Sequence, residues 1–193
     1  MKKNVSGRAV CKTGKYPNGL KNLFGHLPYY GIMVFILFAV SSGLCFAADR
    51  VEGFWVSVDD KTGQVTAGWE IYVIDDVLYG KVLSMVGYPQ DIRALACRES
   101  YRGFPVAGKV NEMPVLGTPW IFGLTRDRAG AWSGGNIIDA SNGNMYRCRI
   151  IFHAADGNRY RNDTLEMRGE IGLGIGRSQY WLKSTREEAS SLR

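Results

Sequence analysis

Apolar and polar residues alternate along most of this chain with the period of two that a strand imposes. Phe54, Val56 and Val58 alternate with Trp55, Ser57 and Asp59, and Val65, Ala67, Trp69, Ile71 and Val73 share one face of the next run. Turn chemistry separates the runs: Asp59-Asp60-Lys61-Thr62-Gly63, Asp75-Asp76, Arg128-Ala129-Gly130, Ser141-Asn142-Gly143 and Asp156-Gly157-Asn158. The pattern predicts strands near 53–58, 64–74, 77–85, 119–124, 131–138, 144–153, 164–171 and 178–183. Eight short antiparallel strands in one domain must hide their edges, and closure into a barrel does so completely. The fold class is therefore all-β, a small antiparallel eight-stranded barrel spanning 48–183.

Two stretches break the rhythm. Residues 86–118 show no sustained alternation and carry Pro89, Pro105 and Pro114, with a short helix expected over 91–97 where Ile92, Leu95 and Ala96 share a side. A loop of this length is usually functional or disordered. The polar tail 184–193 is expected to fray.

The first 47 residues form a different segment. They hold Lys2, Lys3, Arg8, Lys12, Lys15 and Lys21 and no Asp or Glu, so the remaining eighteen basic side chains balance the eighteen acidic ones. The basic isoelectric point thus belongs to the leader, and the usual step from a basic protein to a nucleic-acid partner loses its footing. No charge occurs from Leu27 to Ala48, and the apolar run Ile32–Val40 precedes Ser41-Ser42-Gly43 and Cys45-Phe46-Ala47. That order reads as a signal peptide over 1–47 cleaved after Ala47, which places the protein in the periplasm or cell envelope. The alternatives are a retained membrane anchor over 27–48 and a lipoprotein on Cys45, where Leu44 stands in place of the small residue wanted before a lipidated cysteine.

Export leaves Cys97 and Cys148 in the mature chain. An even pair in an oxidising compartment predicts a disulfide tying the long loop to a strand; the alternative is that Cys148, in phase with Tyr146, Ile150 and Phe152, is a small core residue.

Candidate chemistry is sparse. His153 is the sole histidine of the mature chain and sits in phase with Arg147 and Arg149, which reads as a solvated strand residue. There is no Cys-x-x-Cys, phosphate-binding glycine loop or nucleophile elbow. The carboxylates Asp59, Asp60, Asp75, Asp76 and Asp139 stand where turns need them, and Gly172, Gly174 and Gly176 suit a bent barrel segment. No catalytic residue, metal site or cofactor is assigned. An outer-membrane barrel is disfavoured, because Lys81, Arg147, Arg149, Glu166 and Arg168 interrupt any lipid-facing band.

The most informative constellation is Gly53-Phe54-Trp55 on the first strand with Arg177 near the last. An arginine of the final strand laid over the first-strand indole closes one end of a small barrel, as in the lipocalin-like and fatty-acid-binding-like barrels of the calycin superfamily that this pattern resembles. More widely, Gly53-Phe54-Trp55 and Asp59–Gly63, Leu78-Tyr79-Gly80-Lys81, Trp132-Ser133-Gly134-Gly135 with Ile137 and Asp139, Gly143, Tyr146, Cys148, Arg168-Gly169, and Gly176-Arg177 with Gln179 and Trp181 resemble the bacterial domain of unknown function 2147. The resemblance covers about residues 51–183 and implies a small exported lipocalin-like barrel. Ala140 stands where the family often has proline, and Cys97 is alone where the loop often carries more than one cysteine.

These readings lead to a non-catalytic binding barrel for a small apolar or amphipathic ligand. Trp69, Tyr79, Tyr146 and Phe152 are the expected ligand contacts, with loop 86–118 across the mouth. Gly53, Trp55, Arg177, Trp181, Cys97 and Cys148 are assigned structural roles. The alternatives are an envelope protein-protein interaction or inhibitor module using loop 86–118, and a carboxylate-based hydrolase. A nucleic-acid partner is not expected, and membrane contact is expected only through an uncleaved N-terminal segment.

Overall fold

A computed structural model describes residues 49–193; the leader and the readings attached to it lie outside those residues. Eight strands run up and down: β1 (Gly53–Val58), β2 (Val65–Ile74), β3 (Val77–Met85), β4 (Pro119–Arg128), β5 (Ala131–Asp139), β6 (Asn144–His153), β7 (Thr164–Gly172) and β8 (Ile175–Ser184). Each pairs antiparallel with the next, and β1 pairs with β8 to close the barrel. Closure gives every strand a neighbour on both sides, with β1 and β8 joined over three positions.

Two strands outrun their expected lengths. β4 continues to Arg128 because Gly123, at φ 75°, makes a bulge: Ile121 lies opposite Gly80 and Leu124 opposite Leu78, so three steps on β4 match two on β3. The extra residue returns both Ile121 and Leu124 to the interior, where both are fully buried. β8 begins at Ile175 because Leu173-Gly174 closes a two-residue hairpin to β7.

Period two splits the buried residues into an inner and an outer set. Inside stand Trp55, Ile71, Leu78, Ile121, Leu124, Trp132, Cys148, Ile150, Leu165, Met167 and Trp181. The half of the barrel nearer the turns at 75–76 and 129–130 is thus filled by its own side chains; Phe152 meets Trp55 edge-on at 6.3 Å. Full burial of each such large side chain contributes about 1.5–3 kcal/mol.

The second set lies largely outside the wall. Trp120 and Phe122 alternate with Ile121, so they point outward, and with Ile138 they are covered by loop residues Ala94, Cys97, Val110, Met113 and Val115. Phe104 packs on both rings, at 6.0 Å from Trp120 and 5.3 Å from Phe122. The loop holds itself by paired backbone bonds, Ala94 N to Met113 O at 3.0 Å and Val115 N to Ile92 O at 2.9 Å. The expected helix over 91–97 is absent; Arg93 instead forms a bridge with Pro114, and the segment's one helical turn is a 3-10 turn at Val110–Glu112. Apolar spacing there serves a flat outer wall and not a helix face.

The tail does not fray. Thr185 caps a short helix, α1 (Arg186–Ser190), through a reciprocal capping box with Glu188. Ala189 is fully buried against the outer face of β2 and β3, and Ser84 Oγ donates to its carbonyl at 2.7 Å. Gly68 makes this docking possible, since a Cβ there would lie 1.8 Å from the Ala189 oxygen. Among the described residues no helix is long and apolar enough to cross a membrane.

Candidate functional site

The up-and-down order puts the β1–β2 turn, loop 86–118, the β5–β6 turn and the β7–β8 hairpin at one end of the barrel. Inward positions toward that end divide into buried Ser57, Ala67 and Val82 and half-exposed Trp69, Ile137, Tyr146 and Gln179. Trp69 stacks on buried Trp181 at 4.7 Å and 23°. Its indole N–H donates to Ser57 Oγ at 3.3 Å, and that of Trp181 to Gln179 Oε1 at 3.3 Å. The stacked indoles form a floor, with the hydrogen-bonding groups of Ser57 and Gln179 placed at its edge. Trp69 also packs against both core clusters, so it joins the barrel interior to the loop-covered wall.

β1 and β8 pair over three positions alone, Phe54–Val56 against Leu182–Ser184, so the rest of β8 runs on toward the mouth without a β1 partner. Across that gap Arg177 donates to Asp60 through Nη2 at 2.7 Å and Nε at 3.0 Å. The pair is exposed, and ion pairs of this kind contribute little to stability. Its position at the mouth is what gives it interest: a guanidinium held by one carboxylate is available to exchange it for another.

The expected contact between Trp55 and Arg177 is therefore not formed. β8 runs from the mouth toward the opposite end, so its first residues, Arg177 included, lie far along the barrel from Trp55; the residue that reaches the indole is Lys183, on the same strand and opposite Trp55 in register. Gly53, at φ 119°, leaves room there, since a Cβ would come within 2.8 Å of Lys183 Nζ. Trp181 is buried in the interior.

Of the four expected ligand contacts, Trp69 and Tyr146 face inward in the mouth half. Phe152 also faces inward, but at the packed end, with the Arg50 guanidinium 5.2 Å over its ring. Tyr79 points the other way: its neighbours Leu78 and Gly80 take the interior phase, and Tyr79 stacks on Tyr72 on the outer surface at 5.8 Å. Apolar neighbours alone misassign such a residue, because the loop makes part of the outer wall apolar too.

The disulfide is likewise overturned. Cys97 and Cys148 are both free and buried, one in the loop that packs on the outer wall and the other inside the barrel. The sheet itself lies between them. Burial raises the pKa of each thiol, most strongly for Cys148 in the apolar interior.

Outside the barrel, His153 Nε2 lies 3.0 Å from Glu166 Oε2 and its ring stacks on Tyr160 at 4.4 Å. Ser178 Oγ donates to Glu166 Oε1 at 2.8 Å. The carboxylate stands between serine and histidine, so the imidazole does not take the serine proton and the three groups do not form a nucleophilic triad. Nearby, Tyr160, Tyr180 and Leu182 with Arg159 line a surface groove of about 380 Å³. Among the described residues no group of three or more His, Cys, Asp or Glu is arranged to hold a metal ion.

Comparison with known proteins agrees with this architecture. No curated protein matches the chain. Among solved structures it is similar to a Helicobacter pylori protein described as "Protein HP1028 from the human pathogen Helicobacter pylori belongs to the lipocalin family", with TM-score 0.56, 15% identity, and coverage of 72% of this chain and 86% of that one. At that identity the likeness speaks for the fold alone. The family profile described as "Uncharacterized protein conserved in bacteria (DUF2147)" matches residues 53–183, from the first residue of β1 to within one residue of the end of β8, and the chain belongs to that family.

Proposed function

We propose that this protein is an exported, non-catalytic barrel that binds one small amphipathic molecule at the mouth. The observation that carries the reading is the contrast within the interior: the far half is filled by buried Trp55, Trp132 and Leu165, whereas the mouth half leaves Trp69, Ile137, Tyr146 and Gln179 half-exposed around a stacked-indole floor. Small barrels are either filled by their side chains or hold one ligand, and this one divides the two roles along its axis. The ligand is therefore shallow: an apolar or aromatic body against Trp69, its polar end within reach of Gln179 and Tyr146, and an anionic group drawn to Arg177. Location in the periplasm or envelope rests on the leader sequence.

An anionic amphipathic probe such as anilinonaphthalene sulfonate tests the mouth directly. Saturable enhancement of probe fluorescence with quenching of tryptophan emission supports the site, and native mass spectrometry of protein taken from its own envelope then reports a co-purifying mass. No saturable binding and a clean apo mass overturn it. Retention of a protein partner in that preparation favours the second reading, an interaction module, which the exposed Leu95, Tyr88 and Val106 on the anchored loop support.

A further inference from the structure

The β7–β8 hairpin breaks a local rule without any return inside the molecule. Its two-residue turn is Leu173-Gly174, with φ 50° and 75°, and such primed turns take Asn, Asp or Gly at the first position because a branched aliphatic side chain is strained at positive φ. The same chain shows the ordinary solution at the β2–β3 hairpin, where Asp75-Asp76 adopts φ 50° and 59°. Leu173 is nevertheless 101% exposed, and it is flanked by Ile171 at 72% and Ile175 at 61%. Three large apolar side chains thus project from one convex tip, held in place by Arg168 Nη2 donating to the Gly174 carbonyl at 2.9 Å. A sequence that spends strain to display an apolar side chain gains from it only through contact with something else.

The surrounding charge indicates what that something is. Arg147 and Arg149 point outward from β6 beside the residues of β7 that lead to the tip, and neither forms an ion pair among the described residues. On the strands and short turns of this end, Glu170 is paired with Arg168 and Asp60 with Arg177, and Asp59 and Asp139 accept from the backbone of their own turns. A convex apolar point with Arg147 and Arg149 behind it fits the headgroup region of an anionic bilayer, into which the tip inserts while the arginines meet lipid phosphates. We infer that Ile171, Leu173 and Ile175 form a membrane-docking tip, which turns the mouth of the barrel toward the lipid. The inference rests on the hairpin and holds whether or not the mouth takes a ligand.

The test uses the chain from Ala48 onward, which contains every strand of the closed barrel and excludes the leader, whose apolar run would itself bind lipid. Sedimentation with vesicles of phosphatidylglycerol and phosphatidylethanolamine should exceed that with phosphatidylcholine and weaken with salt. Leu173→Asn suits the turn better than leucine, so it should raise the unfolding temperature and yet reduce vesicle partitioning about tenfold, and Ile171→Ser should reduce it in the same direction. Absence of sedimentation, or binding that both variants leave unchanged, overturns the proposal. So does an envelope protein that the wild type retains and Leu173→Asn releases, which would make the tip a protein-docking element.

Discussion

Lys183 Nζ lies 4.3 Å from the centre of the Trp55 ring and donates to the Glu52 carbonyl at 2.8 Å. Trp55 in turn donates through its indole to the Val51 carbonyl at 2.8 Å, so one lysine and one tryptophan fasten the chain entering the barrel to the strand that closes it. Lys183→Ala should destabilise the protein by about 1–2 kcal/mol, through loss of the cation contact and of stem packing over the ring. Arg177→Ala, which removes an exposed ion pair, should cost about 0–1 kcal/mol. Urea unfolding of the two variants distinguishes them, and an equal or larger loss in Arg177→Ala would contradict the assignment.

The two cysteines should remain thiols. Labelling of the unreduced, denatured chain from Ala48 onward is expected to modify both Cys97 and Cys148, whereas the folded protein should react slowly because both are buried. Cys148→Ser places a hydroxyl in the apolar interior and should cost about 1–3 kcal/mol. A denatured, unreduced chain without free thiol would show that a bridge forms after all.

The strands were legible because period two and turn residues recur together: the expected limits of β1, β3 and β6 coincide with those observed. Phase is where legibility ended. Tyr79 lies on the apolar side of the outer wall, and alternation cannot say which of two apolar faces is the inside when a loop covers one of them. The Trp55–Arg177 reading failed on direction, since an antiparallel last strand brings its final residues, and not its first, to the start of β1. α1 had a signal that went unread, Thr185 followed three residues later by Glu188. The mouth was legible only as a set of aromatics; the stacking of Trp69 on Trp181 depends on barrel closure.

That capping box makes α1 sensitive to single changes. Thr185→Ala removes the bond to Glu188 N at 3.1 Å and should cost about 1 kcal/mol. Gly68→Ala should undock the helix altogether, because its methyl would occupy the position of the Ala189 carbonyl. Limited proteolysis near residue 186 reads out undocking, and resistance equal to wild type in Gly68→Ala would refute the close approach.

Acid should release the outer network around Glu166. Burial pulls its pKa up, but hydrogen bonds from Ser178 and His153, with the charges of His153 and Arg149, outweigh it and leave the carboxyl below the ordinary glutamate range. The stabilisation is thus complete above the unfolded value of about 4.3 and is lost as pH falls through the lower folded value. Glu166→Gln should be less stable than wild type by about 1–2 kcal/mol near neutrality, and the gap should narrow below about pH 4. A gap independent of pH would mean that the ionised carboxylate is not what stabilises the network.

Trp69→Ala separates a binding mouth from a mere continuation of the core. The ring is half-exposed and rests on Trp181, so its removal deletes one stacked pair and part of an apolar wall without opening a sealed cavity. The stability loss should therefore be about 2–3 kcal/mol, short of the largest losses seen for fully enclosed aromatics. Probe binding should disappear in the same variant, and in Gln179→Ala it should weaken with little change in stability, because that side chain contributes one long hydrogen bond to the Trp181 indole. A loss in Trp69→Ala above about 4 kcal/mol, with probe binding retained, would instead mark Trp69 as a core residue and move the binding surface away from the barrel.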